Sequence, residues 1–265
     1  MRVLRPAGAN PILKDERLSQ IRARLQSHGR VLAADLATEW HVPVDMVRRD
    51  LRELAEAGEC RRVYGGALRM QPAAAHIHAR MGENIALKNA LARHTAGLFK
   101  AKQVAFIDTG STNIALATSL SRDMPLTVVT SSPAVAVALS DASQIETIMI
   151  GGRLDDTTGG VIGSVAVQSL QHYRFDLCSL GVWAISAEGP SVWDPEEAAF
   201  KREVLSRSET VVVMAEGSKI GSGGRFPVAP LDTVHTLIVS EDAPSDELSR
   251  MTASGVSILK VPVHD

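Results

Sequence analysis

The stretch 104–120 constrains the fold most, because its hydrophobic pattern changes period part-way along. Residues 104–107, Val-Ala-Phe-Ile, form the short apolar run of a strand covered on both faces. A helical stripe follows at Ile114, Leu116, Ala117 and Leu120. Asp-Thr-Gly-Ser-Thr lies between them at 108–112. The stretch therefore predicts a buried strand, a tight turn and a helix.

This turn has the composition of an anion site. Gly110 allows the backbone to turn sharply and to approach a ligand closely. The amides of Ser111, Thr112 and Asn113 would open the helix as unpaired donors at its positive dipole end, which suits a phosphate. The same residues also fit an ordinary strand-to-helix turn with a solvated Asp108 and a Ser/Thr cap. The turn alone does not decide between these two interpretations.

Length and composition indicate a globular chain without a membrane span. At 265 residues and 45% hydrophobic content, one ordinary domain and a small second one have enough apolar material for packed cores. Residues 1–11 lack the apolar centre of a signal peptide, so we expect a cytoplasmic protein with no membrane partner. Cys60 and Cys178 are far apart and lack metal-ligand spacing, which favours reduced thiols.

The N-terminal part of the chain is basic and helical. Residues 1–70 hold 13 of the 28 Lys and Arg residues but nine of the 30 Asp and Glu residues. Three short helices are predicted after residue 14, and in the third Leu51 and Leu54 lie within about 40° of Val47. The outer face of this helix carries Arg48, Arg49 and Arg52. This pattern predicts a helix-turn-helix whose second helix enters the DNA major groove, although arginines also solubilise helices.

A hairpin signal follows the third helix and favours the DNA-binding interpretation. Gly58 ends the helix, and the pair at 65–66, Gly-Gly, belongs to a tight turn or strand end. The hairpin would form a wing. Arg61 and Arg62 on this wing would reach phosphates or the minor groove beside the recognition helix.

Residues 17–67 resemble the winged helix-turn-helix of the DeoR family of bacterial transcriptional regulators. The resemblance is carried by Gly29-Arg30-Val31, Asp35-Leu36-Ala37, Val42, Arg48-Arg49-Asp50-Leu51 with Leu54, and Arg62 with Gly65-Gly66-Ala67. It implies double-stranded operator DNA as a partner, contacted by Met46, Arg48, Arg49, Arg52, Arg61 and Arg62. Pro43 and Met46 stand where the family usually has a Ser cap and a Thr, and loss of the Thr hydroxyl alters the expected operator preference.

A linker separates this module from a larger domain. We predict a DNA-binding domain at 14–69, a linker at 70–82 and an effector-sensing domain at 83–265. His76 and His78 in the linker are two potential metal ligands, but no third ligand is apparent nearby. We therefore expect no metal site and no cofactor.

The larger domain alternates strands and helices, which predicts a mainly parallel, Rossmann-like sheet with helices on both faces. In such sheets ligands bind beyond the carboxyl ends of the strands. Small and polar residues occupy these ends at 108–112, 130–132, 151–152 and 181. Farther on, Glu197 and Lys201 lie four positions apart on one face of a predicted helix, where they would form an ion pair or contact a ligand. Lys219 lies in a Gly/Ser-rich loop after a predicted strand, where it would bind a phosphate or a carboxylate.

These positions resemble the DeoR-type effector domain, which is similar in fold to ribose-5-phosphate isomerase. The resemblance implies a pocket for a phosphorylated sugar, lined by Asp108, Gly110, Ser111, Thr112, Thr130, Ser131, Gly151, Gly152, Glu197, Lys201 and Lys219. Glu216 stands in place of the family's Asp, and Ser131 in place of its Asn. Both substitutions would reshape the pocket.

Three functions fit these features. The first is a DNA-binding repressor of a carbohydrate operon, controlled by a phosphorylated sugar and acting as a homo-oligomer, dimer or tetramer, because operators contain half-sites. The second is an isomerase-like enzyme with Lys219 and either Glu197 or Asp108 as acid and base. The third is a DNA-binding protein with an empty, structural C-terminal domain. We favour the first, because the N-terminal module is complete and a pocket does not establish a reaction.

Overall fold

The computed structural model describes residues 12–28, 30–57, 59–63, 65–69 and 77–262, without the side chains of 26–28, 61, 68 and 69. The chain divides into two compact units, Met1–Gln71 and Pro72–Asp265. Gly29, Gly58 and most of the predicted linker, including His76, lie outside the described residues. No helix in the described ranges is long and apolar enough to cross a membrane.

The first unit contains three helices and a three-stranded antiparallel sheet. Its elements are α1 (Lys14–His28), β1 (Arg30–Leu32), α2 (Ala33–Glu39), α3 (Val44–Glu56), β2 (Cys60–Val63) and β3 (Gly66–Arg69). Strands β2 and β3 form the predicted hairpin, and β1 pairs with the other edge of β3. Gly66 pairs with Leu32, and a Cβ added at Gly66 would lie 2.0 Å from the Val31 carbonyl oxygen. Only glycine permits this close strand approach.

Helix α3 packs one apolar face into the core of the first unit. Val47, Leu51 and Leu54 are at most 1% exposed. Asp50 also lies on this buried side, where the Arg17 guanidinium of α1 donates to both carboxylate oxygens at 2.7 and 3.1 Å. This two-bond ion pair joins α1 to α3 inside the core.

The second unit contains a seven-stranded, wholly parallel sheet in the order β15-β14-β12-β9-β4-β5-β6. Its strands are β4 (Val104–Ile107), β5 (Leu126–Thr130), β6 (Ile145–Met149), β9 (Phe175–Leu180), β12 (Ser208–Ala215), β14 (Thr236–Ser240) and β15 (Ser257–Val261). The chain runs outward from β4 through β5 and β6, and then returns to place β9 on the other side of β4. This reversal of strand order opens a crevice at the carboxyl ends of β4 and β9.

Helices cover both faces of this sheet. They are α4 (Ile77–Met81), α5 (Ile85–Ala96), α6 (Ser111–Ser119), α7 (Pro133–Leu139), α8 (Ser164–Ser169), α9 (Pro195–Ser206) and α10 (Ser245–Thr252). Side chains alternate between two separate cores along each strand. On β4, Phe106 enters one core, whereas Ala105 and Ile107 enter the other. The predicted α/β class is therefore confirmed.

Several short elements were not predicted from the sequence. They are the hairpin β7 (Arg153–Asp155) and β8 (Gly160–Ile162), and a small sheet of β10 (Ala184–Ser186), β11 (Gly189–Val192) and β13 (Phe226–Pro227). Strands of two to four residues are too short to show a period. Helix α4 occupies the end of the predicted linker and belongs to the second unit, because Ile77 is buried there beside Gly159. The predicted bounds of 14–69 and 83–265 stay a prediction.

Candidate functional sites

The first candidate site is the exposed face of α3 with the β2–β3 hairpin. Met46, Arg48, Arg49 and Arg52 are all exposed, as is Arg62 on β2. The side chain of Arg61 lies outside the described part of the chain. Because the apolar stripe of α3 is buried, its arginines project into solvent, as the helical periodicity predicts. Their contact with DNA stays a prediction.

The second candidate site is a cavity in the crevice between β4 and β9. It is lined by Arg80, Thr109, Gly110, Ser111, Thr112, Asn113, Thr158, Leu180, Gly181, Val182, Trp183, Glu197, Lys201, Met214 and Lys219. The lining combines the start of α6, one face of α9 and the loop after β12. It therefore brings the predicted turn, helix and lysine loop together.

The start of α6 supplies backbone donors to this cavity. Gly110 precedes the helix with φ of +123°, a conformation that favours glycine, and no side chain caps the helix. The first intrahelical bond runs from the Ile114 amide to the Gly110 carbonyl at 3.0 Å. The amides of Ser111, Thr112 and Asn113 precede this bond, so they are available to an anion at the positive end of the helix.

Asn113 holds this turn in place. Its buried side-chain amide donates to the carbonyls of Thr109 and Ser179, each at 3.2 Å. Its oxygen accepts a hydrogen bond from the Ser179 hydroxyl at 2.7 Å. Because Ser179 lies on β9, these bonds join the turn after β4 to the neighbouring strand and hold the start of α6 in position.

A buried ionic cluster forms the floor of the site. The Lys201 ammonium donates to Asp108 Oδ2 and lies 3.3 Å from Glu197 Oε1. All three residues are at most 4% exposed. Burial lowers the pKa of Lys201, but the two carboxylates outweigh this effect, so the pKa is raised and the amine holds its proton. Burial raises the pKa of Glu197, which Lys201 opposes only in part.

Asp108 supports the cavity wall from behind. The amides of Thr109 and Gly181 donate to its two carboxylate oxygens at 2.7 and 2.9 Å. Asp108 is not among the residues that line the cavity. The alternative of a solvated Asp108 is therefore wrong, because this carboxylate is buried and joins β4, β9 and α9. Its contact with an effector stays a prediction.

Trp183 and Arg80 form one side of the cavity. The Trp183 indole donates to Glu197 Oε2 at 2.9 Å, and the Arg80 guanidinium lies 4.3 Å from the centre of the indole ring. This distance is within the range of a cation–π interaction. Arg80 also donates to the Thr157 carbonyl at 3.0 Å. The indole ring therefore adds an apolar surface to the cavity that the start of α6 also lines.

Lys219 is the cation best placed to receive a ligand. Its ammonium donates to the Val182 carbonyl at 3.1 Å, and no carboxylate in the described ranges lies within 4.0 Å of it. Burial lowers the pKa of Lys219 to about 8, although Glu216 acts in the opposite direction. A bound anion would offset the cost of burying this charge.

This pKa predicts how anion binding depends on pH. Lys219 is protonated below about pH 8 and loses its charge above it. Affinity for sulfate, whose own charge is constant between pH 7 and 9, should therefore fall by up to about tenfold per pH unit above 8. Titration calorimetry on the wild type and on Lys219→Met tests this result. The variant should bind sulfate weakly at every pH, and a wild-type affinity independent of pH would contradict the assignment.

Four further predicted effector contacts do not line the cavity. The Thr130 hydroxyl donates to the Ile107 carbonyl at 2.6 Å, and the buried Ser131 hydroxyl has no partner among the described residues. The Ser131 carbonyl accepts from the amide of Val161 in β8 at 2.8 Å. Gly151 and Gly152 are exposed beyond β6. The β7–β8 hairpin covers the end of β5, and the crevice opens on the other side of β4, so contact of these four residues with an effector stays a prediction.

Glu216 also lies outside the cavity lining. It accepts a hydrogen bond from the Asn84 amide at 2.7 Å and lies 3.8 Å from the ammonium of buried Lys88. Lys88 in turn donates to the Arg80 carbonyl at 2.6 Å. The longer acid therefore joins the loop that carries Lys219 to the segment that carries Arg80.

Several lining residues were not predicted as effector contacts, chiefly Trp183 and Thr158. Trp183 follows β9 by three positions, and the apolar β9 run was its only sequence signal. Thr158 lies in the β7–β8 turn, where its hydroxyl donates to Asp155 at 2.8 Å. In the described ranges no three His, Cys, Asp or Glu residues are grouped as metal ligands.

A helix-turn-helix unit followed by an α/β unit with a polar cavity at its strand ends is the organisation of ligand-responsive DNA-binding regulators. Residues 17–73 match the DeoR-like helix-turn-helix domain, and residues 83–241 match the DeoR C terminal sensor domain. The chain belongs to the DeoR family. This confirms the resemblance found in the sequence, and with it the function class of a transcriptional regulator.

Three curated relatives match this chain over most of their own length. The putative aga operon transcriptional repressor of Escherichia coli O157:H7 is 30% identical over 93% of both chains. The transcriptional repressor GlcR of Bacillus subtilis (strain 168) is 28% identical, covering 93% of this chain and 96% of its own. The glycerol-3-phosphate regulon repressor of Escherichia coli (strain K12) is 27% identical, covering 86% of this chain and 91% of its own.

Among solved structures, ribose 5-phosphate isomerase A from Methanocaldococcus jannaschii overlaps 52% of this chain and 55% of its own. The sequences are 16% identical and the TM-score is 0.38.

Proposed function

We propose that this chain is a transcriptional repressor of a carbohydrate operon, released from its operator by a phosphorylated sugar or a similar anionic metabolite. It acts as a homo-oligomer in the cytoplasm and catalyses no reaction. The observation that carries the proposal is that two kinds of donor line the same cavity. One is Lys219, which has no carboxylate partner within the described ranges, and the other is the set of backbone amides that precede the first intrahelical bond of α6. These are the donors that a phosphate group requires.

The neighbouring groups suit the rest of a sugar phosphate. Trp183 offers an apolar surface, and Glu197 and Thr158 offer polar groups to hydroxyls. The relatives support the regulatory half of the proposal, since three of them are named as repressors, one of a glycerol-3-phosphate regulon. On the DNA side, Met46, Arg48, Arg49, Arg52, Arg61 and Arg62 are the proposed contacts.

A set of phosphorylated sugars tests this proposal. We expect one of them to raise the melting temperature of the full-length protein and to weaken operator binding by about 5- to 150-fold, which corresponds to a coupling energy of about 1–3 kcal/mol. Thermal unfolding and gel shift on the same preparation measure both effects. The unphosphorylated sugar is the matched control, and an equal response to it would contradict the phosphate site. A full series without any thermal shift would favour the empty-domain alternative.

An isomerase-like activity is the second candidate. Lys201 lies between two buried carboxylates at the cavity floor, which is an acid–base arrangement. However, the raised pKa of Lys201 keeps its amine protonated, and Glu197 already binds both Trp183 and Lys201. The test is to incubate the protein with the ligand identified by thermal shift and to monitor the ligand by NMR. Conversion of the ligand into a product would establish turnover and overturn the purely regulatory proposal.

A further inference from the structure

The first turn of the recognition helix carries an exposed acid among its arginines. Asp45 lies one position before Met46, and its side chain is 74% exposed. The N-terminal residues of a recognition helix are the ones that contact base edges in the major groove. A carboxylate at this position would face a polyanion, so its presence requires an explanation beyond solubility.

Asp45 binds one of the arginines directly. Arg48 Nη1 donates to Asp45 Oδ1 at 3.0 Å, an ion pair between positions i and i+3 of α3. The bond occupies one nitrogen and leaves most of the five guanidinium donors to other acceptors. Arg49, by contrast, has no ion-pair partner within the described ranges. The two adjacent arginines therefore differ in charge environment and in freedom of movement.

From this geometry we propose that Asp45 is a positioning residue that determines sequence specificity through Arg48. The carboxylate directs the guanidinium along the helix toward its N-terminus, where it can form a bidentate contact with guanine. It also cancels the charge that would otherwise attract Arg48 to phosphates of any sequence. Arg49 and Arg52 supply general affinity, and the Asp45–Arg48 pair supplies discrimination.

The pair is too exposed to matter much for stability. With side chains 55% and 74% exposed, it resembles surface ion pairs whose contribution to folding is small. A purely structural alternative is that Asp45 stabilises the helix start as a first-turn acid. That role would change the binding of every DNA sequence by the same factor. We define the specificity ratio as the affinity for a preferred DNA sequence divided by the affinity for a scrambled one. A change in this ratio separates the two alternatives.

The test compares two duplexes with full-length protein. One is the duplex enriched from a randomised pool by the wild type, and the other has the same composition in scrambled order. Asp45→Asn should tighten binding to scrambled DNA and lower the specificity ratio by about 5- to 150-fold. Its salt slope on scrambled DNA should steepen by about 0.9 for each released arginine that binds a phosphate. Asp45→Glu, which keeps the charge, should restore most of the ratio.

Two matched variants complete the design. Asp35→Asn removes an exposed first-turn acid from α2 and should leave the ratio unchanged. In an Arg48→Met background, Asp45→Asn should have no further effect on the ratio, because Asp45 acts only through Arg48. The proposal would be overturned if Asp45→Asn left the specificity ratio unchanged. It would also be overturned if Asp45→Asn lowered the ratio as much in the Arg48→Met background as in the wild type. Failure of the wild type to enrich any sequence would overturn operator recognition itself.

Discussion

Replacing Arg49 with alanine is expected to abolish retention of operator DNA in a gel shift while leaving metabolite binding intact. Arg49 lies on the exposed face of α3, without an ion-pair partner in the described ranges, so its charge is available to DNA. A hydrogen bond to a charged group such as a DNA phosphate is worth about 1.5–3 kcal/mol, and a dimer on two half-sites would lose this contact twice. The cavity is built entirely by residues of the second unit.

The matched control is Arg93→Ala, which removes an exposed arginine from α5 in the second unit. Operator affinity should remain at the wild-type level in this variant. Calorimetry with the metabolite identified by thermal shift measures the other site in both proteins. If Arg49→Ala lost operator and metabolite binding together, with a lowered melting temperature, Arg49 would be a structural residue and not a DNA contact.

Replacing Lys201 with methionine is expected to destabilise the sensor domain severely. The change keeps a long side chain but leaves Asp108 and Glu197 buried without their shared cation. Removing one partner of a buried ion pair costs about 3–5 kcal/mol. For a domain of this size, the melting temperature should fall by roughly 6–20 °C. Differential scanning calorimetry on the full-length chain measures this change.

The pH dependence of this loss identifies its cause. Without Lys201, the burial that raises the pKa of Glu197 loses its main opposition, so this carboxyl binds a proton in the folded state at pH values where the unfolded chain has released it. The folded state of the variant then gains stability as the pH falls. The loss in its free energy of unfolding relative to wild type should therefore be smaller at pH 5 than at pH 8. Lys100→Met, at an exposed lysine of the same unit, should show neither effect. A deficit equal at both pH values would point to lost packing instead of unpaired charge.

Local periodicity was sufficient for the recognition helix. Apolar side chains three and four positions apart must share a helix face, so burying Val47, Leu51 and Leu54 exposes the arginines between them whatever the rest of the fold does. The buried pair of Asp50 with Arg17 could not be derived in this way, because it depends on how α1 packs across α3. Strand β1 was missed for the same reason, since its three residues pair only with distant β3.

The cavity shows the same division between local and distant information. The turn at 108–112 and the Lys219 loop were predicted because Gly, Ser and Thr after an apolar strand mark a strand end. The spacing of Glu197 and Lys201 correctly placed them on one helix face. The sequence treated every strand end alike and so added Thr130, Ser131, Gly151 and Gly152, although the order of strands decides which ends border the crevice.

Local sequence patterns were therefore sufficient to predict the two-part organisation, the helix faces and the strand-end turns, because each depends on residues close together in the chain. The contact of Asp108 with Lys201, 93 positions away, and the position of Trp183 and Arg80 beside the cavity became visible only in the folded chain. This difference arises because the period of side chains follows from backbone geometry. Contacts between elements follow from the order in which strands join the sheet and from the packing that this order permits.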